Sequence, residues 1–302
     1  MKILIIGGTG FVSGTLARVA LECGHDVTLV TRGLKPLPAG ARHIIADRKE
    51  AGSLASAITE TYDFAMDCIG YTQEDATQDV ACILPKCGHF GFISTDFVYD
   101  PAFRQYPQPE TNMHFLEDDS YGAHKRRCEL VLLDAAVKGL GHWTVFRPCH
   151  IYGPGSLLGC LPRHGRDRLL LDRIRRGEPL ELVAAGTLLQ QPIFAEDLAR
   201  LILSSAGCQD SWGQFYNCAG PEIAESVEYY RIIAEHIGCG LKVKELPIAE
   251  YRALHPEDKC FLVHRIYDLA KIRRDHLAAP STGLAEGLRR HVDGCLALEQ
   301  NA

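Results

Sequence analysis

Short apolar runs alternate with helix-period segments through the first half of the chain. Lys2–Ile6, Val27–Thr31, His43–Ala46, Phe64–Cys68, His89–Ser94 and Trp143–Arg147 read as buried strands. Between the first two, Leu16, Val19, Ala20 and Leu21 form an apolar stripe on a helix expected from about Thr15 to Cys23. Gly24 stops that helix as its C-cap. Ala76–Leu84 reads as a second helix, and a third begins near Tyr121 and continues through Glu129–Lys138. Strands that alternate with helices imply parallel strands and right-handed crossovers. The expected class is α/β, with a doubly wound parallel sheet.

The pattern changes after Arg147. Tyr152–Gly155 is a Gly/Pro turn, Leu161–Arg176 is rich in arginine, and the apolar pieces that follow are short and irregular. This predicts a first domain over 1–150 and a smaller, partly discontinuous C-terminal substrate region over 151–190 and 221–302. Residues 191–220 are expected to return to the first domain. Pro101–Asp119 is polar and contains prolines, and it reads as an excursion near the active site rather than a linker.

Composition narrows the classes. Apolar residues make up 46% and charged residues 23% of the 302, values that exclude disorder and collagen-like repetition. A formal net charge of −6 provides no general attraction to nucleic acid or anionic membrane. No apolar run reaches the roughly 20 residues of a membrane-spanning helix. The 12 cysteines form no CxxC pair, and several, including Cys23, Cys68, Cys128 and Cys218, sit in apolar segments. Met1 leads directly into a strand-like run. Free buried thiols in a reducing cytoplasm are therefore expected. No HExxH or similar spacing appears among the histidines, so no metal site is expected.

Gly7-Gly8-Thr9-Gly10-Phe11-Val12-Ser13-Gly14 joins the first strand to the first helix. Glycines allow a tight turn and a close pyrophosphate approach, and the helix N-terminus supplies free N–H groups. This is the setting of a Rossmann dinucleotide site. The second strand ends in Thr31-Arg32-Gly33 with no acid. An acid there would bind a ribose 2′-hydroxyl, whereas Arg32 accommodates a 2′-phosphate, so the sequence leans toward NADP over NAD. Arg32 pointing to solvent is the alternative. Asp47 reads either as an acceptor for the adenine amino group or as an ordinary loop aspartate.

Tyr121 and Lys125 are spaced i, i+4 and share one helix face. An ammonium there would lower the tyrosine pKa toward neutrality and make it a general acid or base. Thr95 at the end of the fifth strand would hold the substrate oxygen beside it.

These segments, in this order, resemble the extended short-chain dehydrogenase/reductases, the NAD(P)-dependent epimerase/dehydratase family. The resemblance rests on Gly7–Gly14, Ser94–Tyr99, Tyr121–Lys125 and Arg147–Gly155, with Gln191–Asp197 similar to a later family segment. It covers residues 1–220 clearly. It implies Tyr121, Lys125 and Thr95 as catalytic residues, with Ser94 as the alternative hydroxyl. It also implies cofactor contacts at Gly7, Gly10, Phe11, Val12, Cys68, Lys125, Pro148 and Ile151, besides Arg32 and Asp47. Substrates in the family are often nucleotide sugars, so Ser94, Asp96, His150, Arg163, Arg166 and Arg265 are candidate substrate contacts. For His150 a packing role is equally open, and for each arginine a solvated helix face. Homodimerisation through helices of the first domain is a further family expectation.

Departures matter. Ser13 stands where the third glycine of the fingerprint belongs. Phe97 follows Asp96, where the 4,6-dehydratases of the family carry an acidic pair, which argues against that elimination. Epimerase and NADP-dependent reductase or dehydrogenase both remain open, with the nucleotide-sugar epimerase favoured. The rival class is binding rather than catalysis. Thr31–Gly33 and Ser94–Phe97 also resemble a subgroup that contains chloroplast stem-loop RNA-binding proteins, and a non-catalytic cofactor sensor is a related reading. Intact Tyr121 and Lys125 and the negative charge weigh against both.

Overall fold

The apolar runs of the first half are strands because both of their faces are covered. In β1 (Lys2–Ile6), Ile3 and Ile5 enter one core while Leu4 and Ile6 enter the other. The computed structural model describes residues 1–160 and 162–300. Six further strands, β2 (Asp26–Thr31), β3 (Arg42–Ile45), β4 (Tyr62–Asp67), β5 (Cys87–Ile93), β6 (Trp143–Pro148) and β7 (Gln214–Cys218), complete one parallel sheet. Its order is β7-β6-β5-β4-β1-β2-β3. Ile3 lies opposite Val27 on one side and Phe64 on the other, so the chain reverses its winding beside β1. A crevice opens at the carboxyl ends of the strands at such a point.

Two helices cover one face. Leu16, Ala17 and Ala20 of α1 (Phe11–Glu22) pack with residues of a helix returning later in the chain, among them Leu198, Leu201 and Ile202, over Ile3, Leu29 and Met66. On the other face, α2 (Gln73–Cys82) and α3 (Tyr121–Val137) place Ala76, Cys128 and Leu132 over Leu4, Ala65, Phe90 and Val145. The returning helix is α4 (Ala195–Ser205).

The edges of these elements differ from the sequence reading. α1 starts at Phe11, four residues earlier than the apolar stripe indicated. Gly10 is extended and caps it, and the first helical bond runs from Gly14 N to Gly10 O. α2 begins at Gln73 because the Thr72 hydroxyl accepts the Asp75 N–H while Asp75 reaches back to the Thr72 amide. The half-polar stretch Gln214–Cys218 is a seventh strand, parallel to β6. Cys23 is exposed, contrary to its apolar setting in sequence, while Cys128 and Cys218 are buried.

A separate core gathers Tyr152, Leu170, Ile174, Leu180, Tyr230, Leu288 and Val292. It is built on α5 (Ser226–His236), α6 (Leu284–Gln300) and a small parallel pair, Leu180–Val183 with Val243–Leu246. The excursion after β5 folds back on the sheet. Leu116 N donates to Val98 O, and Gln108 is clasped by Ile266 and Asp268 through its backbone N–H and C=O. The segment His264–Asp268 is thereby tied to the loop that follows β5.

Candidate active site

The glycine turn has the backbone the fingerprint requires. Gly7 and Gly8 have φ of +109° and +114°, and a Cβ on Gly8 would lie 2.7 Å from Leu29 Cδ2. Ser13 replaces the usual glycine without crowding, because its hydroxyl accepts the Gly10 N–H at 3.2 Å. The N–H groups of Phe11, Val12 and Ser13 precede the first helical bond of α1 and so lack helical partners. A turn of this shape fits a pyrophosphate.

Beside it lies a pocket of about 430 Å³ lined by Gly7, Gly10, Arg32, Lys35, Asp47, Arg48 and Tyr71, among others. Asp47 Oδ1 accepts the Lys49 N–H at 2.9 Å. Arg48 is buried and committed: it meets Asp67 at 2.8 Å, Asp79 at 2.9 Å and Asp75 at 3.2 Å. Arg32 and Lys35 have no ion-pair partner among the described residues. Lys35 and the buried Arg48 cluster were not singled out in the sequence. Lys35 lies three residues beyond Arg32 and was within reach of that argument, whereas the Arg48 cluster joins three segments, the loop after β3, the end of β4 and α2, and is visible only in space.

A second cavity, of about 500 Å³, continues from the first turn of α1. Phe11, Val12, Cys68, Ser94, Thr95, Asp96, Tyr121, Lys125, Pro148, His150, Ile151, Arg166 and Arg265 all line it. The motif residues therefore converge. Helix α3 is brought to this wall by Gly122, where a Cβ would lie 1.9 Å from Phe97 O. Ser120 caps the helix through Ala123 N, which sets Tyr121 at its first turn next to the Thr95 loop. The Thr95 hydroxyl is an acceptor for Phe97 N at 3.3 Å and keeps its own hydrogen for a ligand.

The electrostatics differ from the sequence expectation in four places. The Lys125 ammonium is buried and donates to the carbonyls of Gly70 and Ile93. Burial lowers its pKa, and nearby Asp67 opposes that. Tyr121 is half-exposed, yet its pKa is raised rather than lowered, first by desolvation of its hydroxyl at the cavity wall, then by Tyr71 and Asp96; Arg166 acts in the opposite direction. Second, Ser94 spends its hydroxyl on Glu129 at 2.6 Å. Glu129 also takes Arg147 at 2.7 and 2.9 Å, forming a buried brace behind β5 and β6. Third, Asp96 and Arg265 are bound to each other at 3.0 Å by two bonds, so Arg265 is not a free phosphate ligand. Burial alone would raise Asp96, but Arg265 and Arg104 outweigh it and hold the carboxyl below its usual range. Tyr267 donates a further hydrogen bond to Asp96. Fourth, Arg163 lies outside the cavity and pairs with Glu181 at 2.9 Å.

His150 keeps its place in the wall as a neutral ring. Burial, then the Arg265 charge, pushes its pKa down to about 3. Its ring meets Tyr229 edge-on with centroids 5.8 Å apart. Tyr267 and Glu129 were missed in the sequence because each acts through a partner distant along the chain, whereas Arg104 meets Asp96 only because the chain after β5 folds back on itself.

Over 237 residues, 72% of this chain, the sequence is 29% identical to the chloroplast stem-loop binding protein of 41 kDa b of Arabidopsis thaliana. The match spans 58% of that relative's length. The fold is similar to UDP-glucose 4-epimerase of Thermotoga maritima solved with UDP-glucose, with a TM-score of 0.79 at 19% identity over 99% of this chain and 100% of that one. It is also similar to UDP-glucuronic acid 4-epimerase of Bacillus cereus solved with NAD, with a TM-score of 0.77 at 18% identity over 99% of both chains. The model of the NAD dependent epimerase/dehydratase family matches residues 3–219, and with the glycine turn, the Thr95 loop and the Tyr121–Lys125 helix in place, the chain belongs to that family.

Proposed function

We propose that this protein is a nicotinamide-dependent nucleotide-sugar epimerase, working through Tyr121, Lys125 and Thr95. The observation that carries the reading is the single cavity in which these three residues meet Phe11, Val12, Pro148 and Ile151. Those four belong to the elements that would hold the dinucleotide. A nicotinamide bound there would supply hydride acceptance and return at a sugar carbon. Thr95 holds the reacting oxygen through its free hydroxyl hydrogen. Tyr121 exchanges the proton of that oxygen. Desolvation of its hydroxyl favours the neutral form, so as built it is set to donate, and Arg166 is the cation that opposes this. Lys125 is a positioning residue in this structure, tying the β4 end at Gly70 to the β5 end at Ile93. Asp96, held ionised by two arginines, is not available as a general acid, which weighs against a 4,6-elimination.

Arg32 and Lys35 favour NADP, because a 2′-phosphate would find two unpaired cations there and no facing acid other than Asp47. The same feature supports a second reading, an NADP-dependent reductase acting on a carbonyl substrate. Stem-loop binding, the activity printed in the plant relative's name, has weaker support. Arg163, Arg173, Arg175 and Arg176 of the basic stretch all meet carboxylates.

The test is conversion of UDP-glucose, UDP-glucuronate and UDP-N-acetylglucosamine to their C4 epimers, followed by chromatography. Turnover of at least one is expected, and Tyr121→Phe should lower it by about 10²–10⁴-fold. Conversion of none by the wild type, or full activity in Tyr121→Phe, would defeat the epimerase reading. A stoichiometric loss of NADPH with a carbonyl compound would favour the reductase.

A further inference from the structure

We propose that Arg166 is an anion-binding residue at the catalytic end of the cavity, and that it takes an oxyanion carried by the sugar itself rather than by the nucleotide. The proposal rests on Tyr121 as the reacting residue, assigned above.

The arginines of the basic stretch are not equivalent. Arg163 meets Glu181 at 2.9 Å, Arg173 meets Asp167 at 3.2 Å, and Arg176 meets Glu178 at 2.7 Å. Arg166 has no ion pair among the described residues, is exposed, and lines the cavity with Tyr121, Thr95 and His150. The other cations of that cavity are occupied. Lys125 is bound to two carbonyls, and Arg265 to Asp96. His150 is neutral. An anion entering the cavity therefore meets one cationic side chain that has neither a hydrogen-bond nor an ion-pair partner among the described residues, Arg166.

Its placement is enforced by the chain. Arg166 has φ of +54°, a left-handed conformation that a side chain rarely adopts. The loop around it imposes that conformation. Asp167 N donates to Leu158 O at 2.9 Å, and the Asp167 carboxylate takes His164 Nδ1 at 3.2 Å. The His164 ring packs edge-on against Tyr230, whose hydroxyl accepts Cys160 N at 3.0 Å. Gly159, with φ of +110°, lets the two arms touch, since a Cβ there would lie 1.7 Å from His164 O. Strain kept by surrounding contacts is characteristic of functional positions. The guanidinium is also felt at the hydroxyls of Tyr121 and Tyr71 and at His150, which places it toward the reacting end. A guanidinium fork suits the paired oxygens of a carboxylate or a phosphate ester. The substrate class is thus a sugar with an acidic substituent near the carbon that reacts.

The test is labelling of arginines by phenylglyoxal in the cofactor-loaded protein, located by peptide mass spectrometry, with UDP, UDP-glucose or UDP-glucuronate as protectant. UDP-glucuronate is expected to slow labelling of Arg166 severalfold, while UDP and UDP-glucose leave it unchanged. Arg166→Gln should weaken UDP-glucuronate binding by about tenfold or more and leave UDP-glucose binding within about twofold. Equal protection by UDP would assign Arg166 to the diphosphate and overturn the proposal, as would no protection by a UDP-glucuronate that demonstrably binds. If calorimetry finds no binding of UDP, the nucleotide-sugar reading fails on its own. Free glucuronate, glucose 6-phosphate and glucose then decide. Protection by either anion but not by glucose upholds the role of Arg166 and names its group, and protection by none overturns it.

Discussion

His89 should make the fold acid-labile, and the size of the effect follows from its surroundings. The ring is buried within β5, with Nε2 at 2.9 Å from Thr144 Oγ1 and Nδ1 accepting the Gly207 N–H at 3.4 Å. That pattern calls for a neutral imidazole protonated on Nε2 alone. Burial is the main cause that pushes its pKa down to about 4, from 6.5 for an exposed ring. The unfolded chain therefore binds a proton more readily than the folded one. Stability is intact above the unfolded value, falls as pH drops below about 6.5, and levels off below the folded value. Each pKa unit corresponds to about 1.4 kcal/mol, so the full loss is about 3 kcal/mol. By pH 5 the linkage relation already yields about 2 kcal/mol. The perturbation is His89→Gln, whose amide can donate to Thr144 and accept from Gly207 but does not titrate. Urea unfolding at pH 7 and pH 5 gives the stability of both proteins. The drop between the two pH values should be about 2 kcal/mol smaller in the variant, whatever packing cost it carries at pH 7. Equal drops in the two proteins would refute the reasoning, because His89 would then titrate alike folded and unfolded.

Three further predictions concern the site. Gly122→Ala should abolish activity and destabilise the protein by circular-dichroism melting, since its methyl would overlap the Phe97 carbonyl at 1.9 Å and push α3 from the Thr95 loop; unchanged melting and turnover would contradict that packing. Glu129→Gln leaves Arg147 buried with weakened compensation and should cost about 3–5 kcal/mol in denaturant unfolding. Burial opposes the Glu129 charge, but Arg147, Ser94 and Arg126 outweigh it and depress its pKa. Its share of stability is therefore present above the ordinary carboxylate range and lost as pH falls through its lowered folded value, a loss that Glu129→Gln should remove. Arg32→Ala with Lys35→Ala should weaken NADP by about tenfold or more and NAD little, measured by calorimetry; equal weakening of both would remove the 2′-phosphate argument.

Much of the site was legible where one short segment carries a whole function. The glycine turn, the Thr95 strand end and the Tyr121–Lys125 helix are each local, and the parallel direction of the strands brings them together at the carboxyl end of the sheet. Charge partners were not legible. Arg265 looked like a phosphate ligand because its 169-residue separation from Asp96 hides their contact. Ser94 looked free for the same reason, with Glu129 on a helix 35 residues away. Lys125 looked like the cation of Tyr121 because helix spacing puts their β-carbons together, yet its long side chain turns into the sheet toward Gly70 and Ile93.

The sequence alone determined the parallel sheet, since strands buried on both faces must be apolar throughout and their connecting helices amphipathic. It also determined the nucleotide turn, because the backbone at Gly7 and Gly8 is open to little besides glycine. Only the tertiary structure decided which charges are spent and which are free. Periodicity records burial, but an ion pair is a meeting of two side chains whose distance in sequence carries no information about their distance in space. Among the three arginines proposed as anion ligands, folding pairs Arg163 and Arg265 with carboxylates and leaves Arg166 at the cavity with none among the described residues.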